Sequence, residues 1–246
     1  MGVIPARYGS SRLPGKPLVD LQGKPLLYHV YQRSLKARTL DRVLIATDDE
    51  RVYRAASEFG APVVMTGKEH RSGTDRIAEA VQNLDADLVI NIQGDEPLID
   101  SEAIDQVVNL LEEDSASVMS TLKAPIENRE DLLNTNVVKV VTDEKGYALY
   151  FSRAPIPFHR SKPDSFEHCY RHIGLYAYRR DFLMQFTKWT PSTLEKMEDL
   201  EQLRALEHGA KIKVGFTSTH VFGVDTPEDL ERIRKMVEGN KKILEA

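Results

Sequence analysis

The chain has 246 residues, 41% of them hydrophobic and 29% charged, with a formal net charge of -5. That balance excludes a disordered or fibrous chain and leaves room for a sizeable core, while the acidic sum argues against general nucleic-acid binding, which wants a basic face. A lone cysteine, Cys169, excludes an intrachain disulfide framework. No run approaches the roughly 18 apolar residues of a membrane span, and the first residues lack a secretion signal. A cytoplasmic protein without membrane contact is expected.

Apolar runs and helical patterns alternate through the first half, the arrangement of a parallel sheet covered by helices. Strands are expected at Val3–Pro5, Arg42–Thr47, Pro62–Met65 and Asp87–Ile92. Between them Val52, Ala55, Ala56 and Phe59 recur at helical spacing with Gly60 as a C-terminal stop, and Ile77, Ala80, Val81 and Leu84 repeat the pattern. Ile104, Val107, Val108 and Leu111 form a third such face behind Asp100 and Ser101, either of which suits its cap. From about Ser115 strands dominate, at Ser117–Lys123, Val137–Thr142, Tyr147–Phe151 and Gly174–Arg179, which reads as a mixed-sheet extension. Ser152 to Arg171, with Pro155, Pro157 and Pro163, reads as a long loop of the kind that is functional or mobile. Thr226-Pro227-Glu228-Asp229 opens a last helix with a cap, a proline at its first position and an acid at its third. With no repeats or linkers, residues 1–246 are expected to form one domain.

The most specific stretch is Ile4-Pro5-Ala6-Arg7-Tyr8-Gly9-Ser10-Ser11-Arg12-Leu13-Pro14-Gly15-Lys16-Pro17, directly after the first strand. In open parallel sheets ligands bind beyond the carboxyl ends of strands. Gly9, Ser10, Ser11 and Gly15 let backbone N–H groups approach phosphate oxygens, and Arg7, Arg12 and Lys16 add positive charge. It is no Walker A loop, since Pro17 stands where Ser or Thr must follow the lysine. The alternative is a solvated turn. A second stretch, Ile90 to Pro97, runs a strand into acids, and Asp95 reads as a ligand for a hard cation beside phosphates or as a turn former. Asp225, in Gly223-Val224-Asp225-Thr226, reads equally as a metal acid or as a helix-start acid. His168, Cys169 and His172 lack the fourth ligand that a structural zinc site needs.

Taken together, the Pro5–Pro17 loop, His70-Arg71-Ser72-Gly73-Thr74-Asp75, Gln93-Gly94-Asp95-Glu96-Pro97, Tyr147 to Arg153, Arg171-His172-Ile173-Gly174-Leu175-Tyr176, Leu200-Glu201-Gln202-Leu203-Arg204 and Gly223 to Thr226 closely resemble the 3-deoxy-manno-octulosonate (KDO) cytidylyltransferases, or CMP-KDO synthetases. The motifs run from residue 5 to residue 226 in the family's order. The resemblance implies an α/β Rossmann-like nucleotidyltransferase fold with a mainly parallel central sheet. It further implies CTP and KDO as substrates, Mg²⁺ as cofactor, a homodimer and a place in lipopolysaccharide synthesis, with sugar-binding and dimerisation elements within about residues 117–210. Carried over by residue, Arg7, Ser10, Arg12 and Lys16 hold the triphosphate and Ala6, Arg71, Ser72, Gly73 and Gln93 surround the cytidine. Asp95 and Asp225 bind the metal and, with Arg12 and Lys16, make up the catalytic set. Gln93, Arg153, His172, Tyr176, Glu201 and Gln202 meet the sugar acid.

Residue chemistry supports this alongside. A guanidinium at Arg153 matches a planar carboxylate with two parallel bonds. Tyr176 shares the face of His172 by strand alternation. Leu200, Leu203 and Leu206 form the buried side of a helix, which leaves Glu201 and Gln202 to solvent or ligand. Arg153 also reads as a surface arginine, and His172 and Tyr176 as half-buried or core side chains. One departure stands out: family members carry more apolar residues ahead of the Pro-Ala-Arg loop, so a short first strand is expected here. A related sugar acid (an amino-substituted KDO or a sialic acid) or a noncatalytic nucleotide-binding regulator are the alternative readings.

Overall fold

A computed structural model of the chain describes residues 1–9, 12–162, 165–218, 222–239 and 241–244. In chain order the elements are β1 (Gly2–Ala6), a 3-10 turn (Lys16–Leu18), β2 (Asp20–Leu21), β3 (Lys24–Pro25), α1 (Leu26–Ser34), β4 (Val43–Thr47), α2 (Glu50–Glu58), β5 (Val63–Met65), α3 (Gly73–Val81), β6 (Leu88–Asn91) and α4 (Ser101–Glu112). Then come β7 (Met119–Pro125), α5 (Arg129–Leu133), β8 (Lys139–Thr142), β9 (Ala148–Ser152), β10 (Tyr170–Arg179), α6 (Arg180–Phe186), α7 (Thr193–Glu198), α8 (Gln202–Glu207), β11 (Ile212–Phe216) and α9 (Pro227–Gly239). The chain divides into two compact units, residues 1–105 with 221–246, and residues 106–220. No helix among the described residues is long and apolar enough to cross a membrane.

In the first unit four strands lie in the order β6-β1-β4-β5, every neighbouring pair parallel. β1 pairs with β4 along its whole length, from Gly2 opposite Val43 to Ala6 opposite Thr47, so five residues suffice for a full central strand. All five residues of β4 are buried, as expected for a parallel strand covered on both faces. The helices form for legible reasons. Asp49 caps α2 by accepting from Arg51 N at 2.9 Å, and Gly60 beyond its end takes a left-handed φ of 79°. Ser72 and Asp75 make a reciprocal capping box on α3. Val3, Ile4, Ile45, Ile77, Val81 and Val89 are each fully buried in this unit's core.

The second unit holds the mixed sheet, β11-β7-β10-β8-β9, in which β11 runs parallel to β7 and the other pairs are antiparallel. β10 begins at Tyr170, four residues before the strand expected from sequence, and so takes in the end of the stretch read as loop. Its register against β7 breaks between Ile173 and Ala177: Leu122 faces Ile173 and Ser120 faces Ala177, leaving Thr121 opposite the stretch from Gly174 to Tyr176. Leu122, Phe151, Leu175, Phe186 and Leu203 are fully buried here.

Candidate active site

The loop after β1 is held from both ends. Gly15 takes a left-handed φ of 71° and donates its N–H to Tyr8 O at 3.0 Å, while a Cβ on it would lie 3.1 Å from the Tyr8 ring. The opposite face of chemistry is supplied by α2: the Arg51 guanidinium lies over the Tyr8 ring at 3.3 Å from its centroid and forks onto Asp49 at 2.9 and 2.7 Å. Hydrogen bonding from Arg51 pulls the Asp49 carboxyl down to a pKa of about 2, so this anchor stays charged. Lys16 follows at the start of the 3-10 turn.

Two acids converge on Lys16. Its Nζ donates to Asp95 Oδ2 at 2.6 Å and to Asp225 Oδ1 at 2.9 Å, and Arg12 Nη2 lies 3.1 Å from Asp225 Oδ2. Burial works to lower the Lys16 pKa, but the charges and hydrogen bonds of Asp95 and Asp225 outweigh it and the ammonium is held above its ordinary value. Asp225 responds in kind: burial opposes its ionisation, and Lys16 and Arg12 together hold its carboxyl below the usual range. The two acid segments are tied through the backbone, Val224 N donating to Asp95 O at 2.9 Å. Asp225 is set further by the start of α9, where the Asp229 carboxylate accepts from Asp225 N and Thr226 N, each at 3.1 Å. Gly94 is obligatory in this packing, because a Cβ there would lie 2.7 Å from Pro5 O of β1. Next to Asp95, burial and then the Asp95 charge push the Glu96 carboxyl up to about 8, and its Oε2 has no hydrogen-bond partner among the described residues.

These groups line one cavity of about 400 Å³ at the carboxyl ends of β1 and β6, to which Ala6, Arg7, Arg12, Lys16, Gly73, Gln93, Asp95 and Asp225 all contribute. Of the residues expected to hold the nucleotide, Arg71 is exposed beside α3 and Ser72 is its N-cap, with the hydroxyl oxygen accepting from Asp75 N at 3.1 Å. Ser10 lies outside the described residues.

The second unit gathers the residues expected at the sugar, in two networks. His172 and Tyr176 share one face of β10, with ring centroids 5.3 Å apart, and Phe151 packs edge-on to His172 at 5.0 Å. Part of the His172 surface stays accessible, yet burial depresses its pKa to about 3, so the ring is neutral near pH 7. Burial likewise holds the Tyr176 phenol well above its ordinary value. Arg153 is not a free fork: Nε, Nη1 and Nη2 donate to the carbonyls of Glu198, Thr135 and Asp199 at 2.6, 2.9 and 3.1 Å, and its own N–H donates to Glu198 Oε2 at 2.9 Å. Lys139, fully buried in β8, pins the same turn by donating to Asn134 O at 3.0 Å and Val137 O at 2.6 Å. The expectation that Glu201 and Gln202 both face outward needs correction. Gln202 is 5% exposed because α8 starts at this residue and turns it inward with Leu203, while Glu201 is half-buried and accepts from Arg204 at 3.3 Å.

Sequence reasoning gave no role to Tyr8, Arg51, Glu96, Thr121, Lys139 or Glu198. Lys139 alone left a signal, a lysine at the head of the apolar Val140-Val141 pair, and its carbonyl partners come from a turn that no periodicity marks.

Comparison with known proteins fits this geometry. The profile of the Cytidylyltransferase family matches residues 1–212. The 3-deoxy-manno-octulosonate cytidylyltransferase of Geobacter sulfurreducens is 51% identical over 240 residues, which cover 94% of this chain and 96% of that protein. The protein of the same name from Pelobacter propionicus is 52% identical over 242 residues, 95% of each chain. Among solved structures, a CMP:2-keto-3-deoxy-manno-octonic acid synthetase complexed with CTP superposes with a TM-score of 0.92 at 42% identity, covering 97% of this chain and 98% of that one.

Proposed function

The chain belongs to the cytidylyltransferase family, among its 3-deoxy-manno-octulosonate members, and from that premise we propose that it transfers CMP from CTP to the anomeric hydroxyl of KDO with release of pyrophosphate. The observation that carries the chemistry is the convergence of Lys16 and Arg12 with Asp95 and Asp225 in one cavity at the ends of parallel strands. Phosphoryl transfer of this kind is positioning plus charge neutralisation, so the sugar hydroxyl attacks the α-phosphate in line and no covalent enzyme intermediate is needed. Arg7, Arg12 and Lys16, with Ser10, hold the triphosphate, and Lys16 and Arg12 offset the charge gathering on the departing pyrophosphate.

Magnesium fits the donor set. Asp95 and Asp225 are carboxylates whose oxygens already close on one positive charge, the Lys16 ammonium, and hard oxygens with room for phosphate and water are what this ion takes. When bound, Mg²⁺ would neutralise the α-phosphate and lower the pKa of the sugar hydroxyl. Lys16 would then turn from the two acids to the phosphates.

For the base, small residues at Ala6, Ser72 and Gly73, with Arg71 and Gln93, leave backbone and side-chain groups to read a pyrimidine edge, and a mismatched base would leave buried polar groups unpaired. For the sugar acid, Gln93, Glu201 and Gln202 take hydroxyls, as does the neutral His172 with Tyr176, and Arg153 takes the carboxylate after exchanging part of its carbonyl contacts. We further read both units as one nucleotidyltransferase domain, with sugar-binding and dimerisation elements within 117–210, acting as a cytoplasmic homodimer in lipopolysaccharide synthesis. The test is initial pyrophosphate release over the four ribonucleoside triphosphates and a panel of KDO, amino-substituted KDO and sialic acid, with and without Mg²⁺. Release with CTP and KDO alone supports the reading. Equal rates with ATP and CTP overturn the base pocket, CTP binding without release overturns the enzyme, and a better rate with another sugar acid reassigns the acceptor.

A further inference from the structure

The break in register of β10 puts two carbonyl oxygens and an imidazole nitrogen around one hydroxyl. Thr121, fully buried in β7, has its Oγ1 2.9 Å from Ile173 O, 2.9 Å from Leu175 O and 2.9 Å from His172 Nε2. A threonine hydroxyl owns one hydrogen and two lone pairs. Both carbonyls can only accept, so the hydrogen belongs to them, whether shared or alternating. If Thr121 instead donated to His172, two buried carbonyl oxygens would face a bare hydroxyl oxygen at hydrogen-bond distance, losing the bond and adding repulsion. The remaining possibility is that His172 Nε2 carries the proton and donates it to Thr121. No hydrogen bond to His172 Nδ1 occurs among the described residues, and the residue is only half-buried.

We infer that Thr121 is a positioning residue that fixes His172 as the Nε2–H tautomer, leaving Nδ1 as a lone-pair acceptor for a hydroxyl of the bound sugar acid. The arrangement depends on the bulge, since a regular β10 would pair the Ile173 and Leu175 carbonyls along the strand ladder and leave the Thr121 proton for the imidazole. It also ties specificity to hydrogen-bond polarity: an Nδ1 acceptor selects a donor, and a substrate with an ether or a deoxy carbon at that position finds no partner. The tautomer follows from the contacts alone, whereas its use rests on the proposed role of His172 at the sugar.

The test joins a spectroscopic and a kinetic measurement. In protein labelled with nitrogen-15 histidine, the imidazole signals of His172, identified by their loss in His172→Gln, should give Nε2 a protonated and Nδ1 an unprotonated shift. In Thr121→Val, which keeps the shape and removes the hydroxyl, that preference should weaken, and KM for KDO should rise about tenfold while KM for CTP stays within about twofold. Thr121→Ser should restore both. A protonated Nδ1 in the wild type overturns the inference even if Thr121→Val fails to fold. An unchanged KM for KDO in a folded Thr121→Val overturns the link to the substrate. If His172→Gln leaves KM for KDO unchanged while the wild-type tautomer is as stated, the sugar role of His172 fails and the tautomer assignment stands, so the two failures are distinguishable.

Discussion

Lys16 shows how much one side chain can concentrate. Its ammonium meets both Asp95 Oδ2 and Asp225 Oδ1, at 2.6 and 2.9 Å. Replacing it with methionine, Lys16→Met, keeps the length of the side chain and removes the charge. Turnover should fall by about a hundred- to a thousand-fold, the scale of losing one preorganised charge partner at a transition state. A kcat for pyrophosphate release within twofold of wild type would remove Lys16 from the reaction. His172 bears on stability. Its folded pKa, about 3, lies below the ordinary value of 6.5, so the unfolded chain takes up this proton first as pH falls. The stability that the neutral ring carries is therefore complete above about pH 6.5, is lost on acidification, and stops falling near the folded pKa. Urea midpoints measured at pH 7 and again near pH 4 should drop less in His172→Gln than in wild type. An equal drop in both would show that the ring is not held neutral.

Among the elements, the close approach of the β6 exit to β1 is the most sensitive join. Gly94 leaves 2.7 Å between a would-be Cβ and Pro5 O, and the obstacle is backbone, which cannot rotate away. Gly94→Ala should cost about 1–3 kcal/mol as overpacking, and because Asp95 is the next residue, kcat should fall with stability. Thermal unfolding and pyrophosphate release measured on the same preparation decide this, and an unchanged Tm would mean that the loop has slack. Elements also differ in how plainly the sequence announces them. α2 and α3 announce themselves by apolar spacing and α9 by Thr226 with Asp229 at its start, while the structure adds the caps Asp49 and Ser72. α1 does not: it opens after Pro25 without a side-chain cap, and Leu26, Leu27, His29, Val30, Tyr31, Arg33 and Ser34 are all buried, so no polar stripe marks its period. β11 runs unbroken through Gly215, where the Leu110 side chain would lie 2.7 Å from an added Cβ and leaves no room for a side chain.

For the molecule as a whole, an acidic chain of net charge -5 binding an acidic nucleotide depends on local concentration of positive charge, and Arg7, Arg12 and Lys16 supply it around one cavity. Ligand that binds only the folded state stabilises it by mass action, about 2.7 kcal/mol at a hundredfold excess over Kd. With Mg²⁺ present, saturating CTP should therefore raise the apparent Tm by about 5–10 °C, and ATP should produce little shift. A shift of equal size with ATP would show that the phosphates are bound and the base is not read.

The alternation of strands and helices, the Gly60 stop after α2, the cap of α9, and the small, cationic loop at the end of β1 were legible in the chain because each is a local pattern: periodicity, cap chemistry and residue size act over a few neighbours. Asp95 was legible for the same reason, as an acid where a buried strand ends. Asp225 was ambiguous on its own residues, since what separates a helix-start acid from a site acid is Lys16, more than two hundred residues away in sequence and 2.9 Å away in space. The same limit applied to Arg153, whose guanidinium meets carbonyls at Thr135, Glu198 and Asp199, and to Gln202, which α8 turns inward. The proton on His172 is the extreme case. It follows from a register break of β10 against β7 and a hydroxyl on the neighbouring strand, a contact between residues 51 positions apart that a window of a few neighbours does not contain.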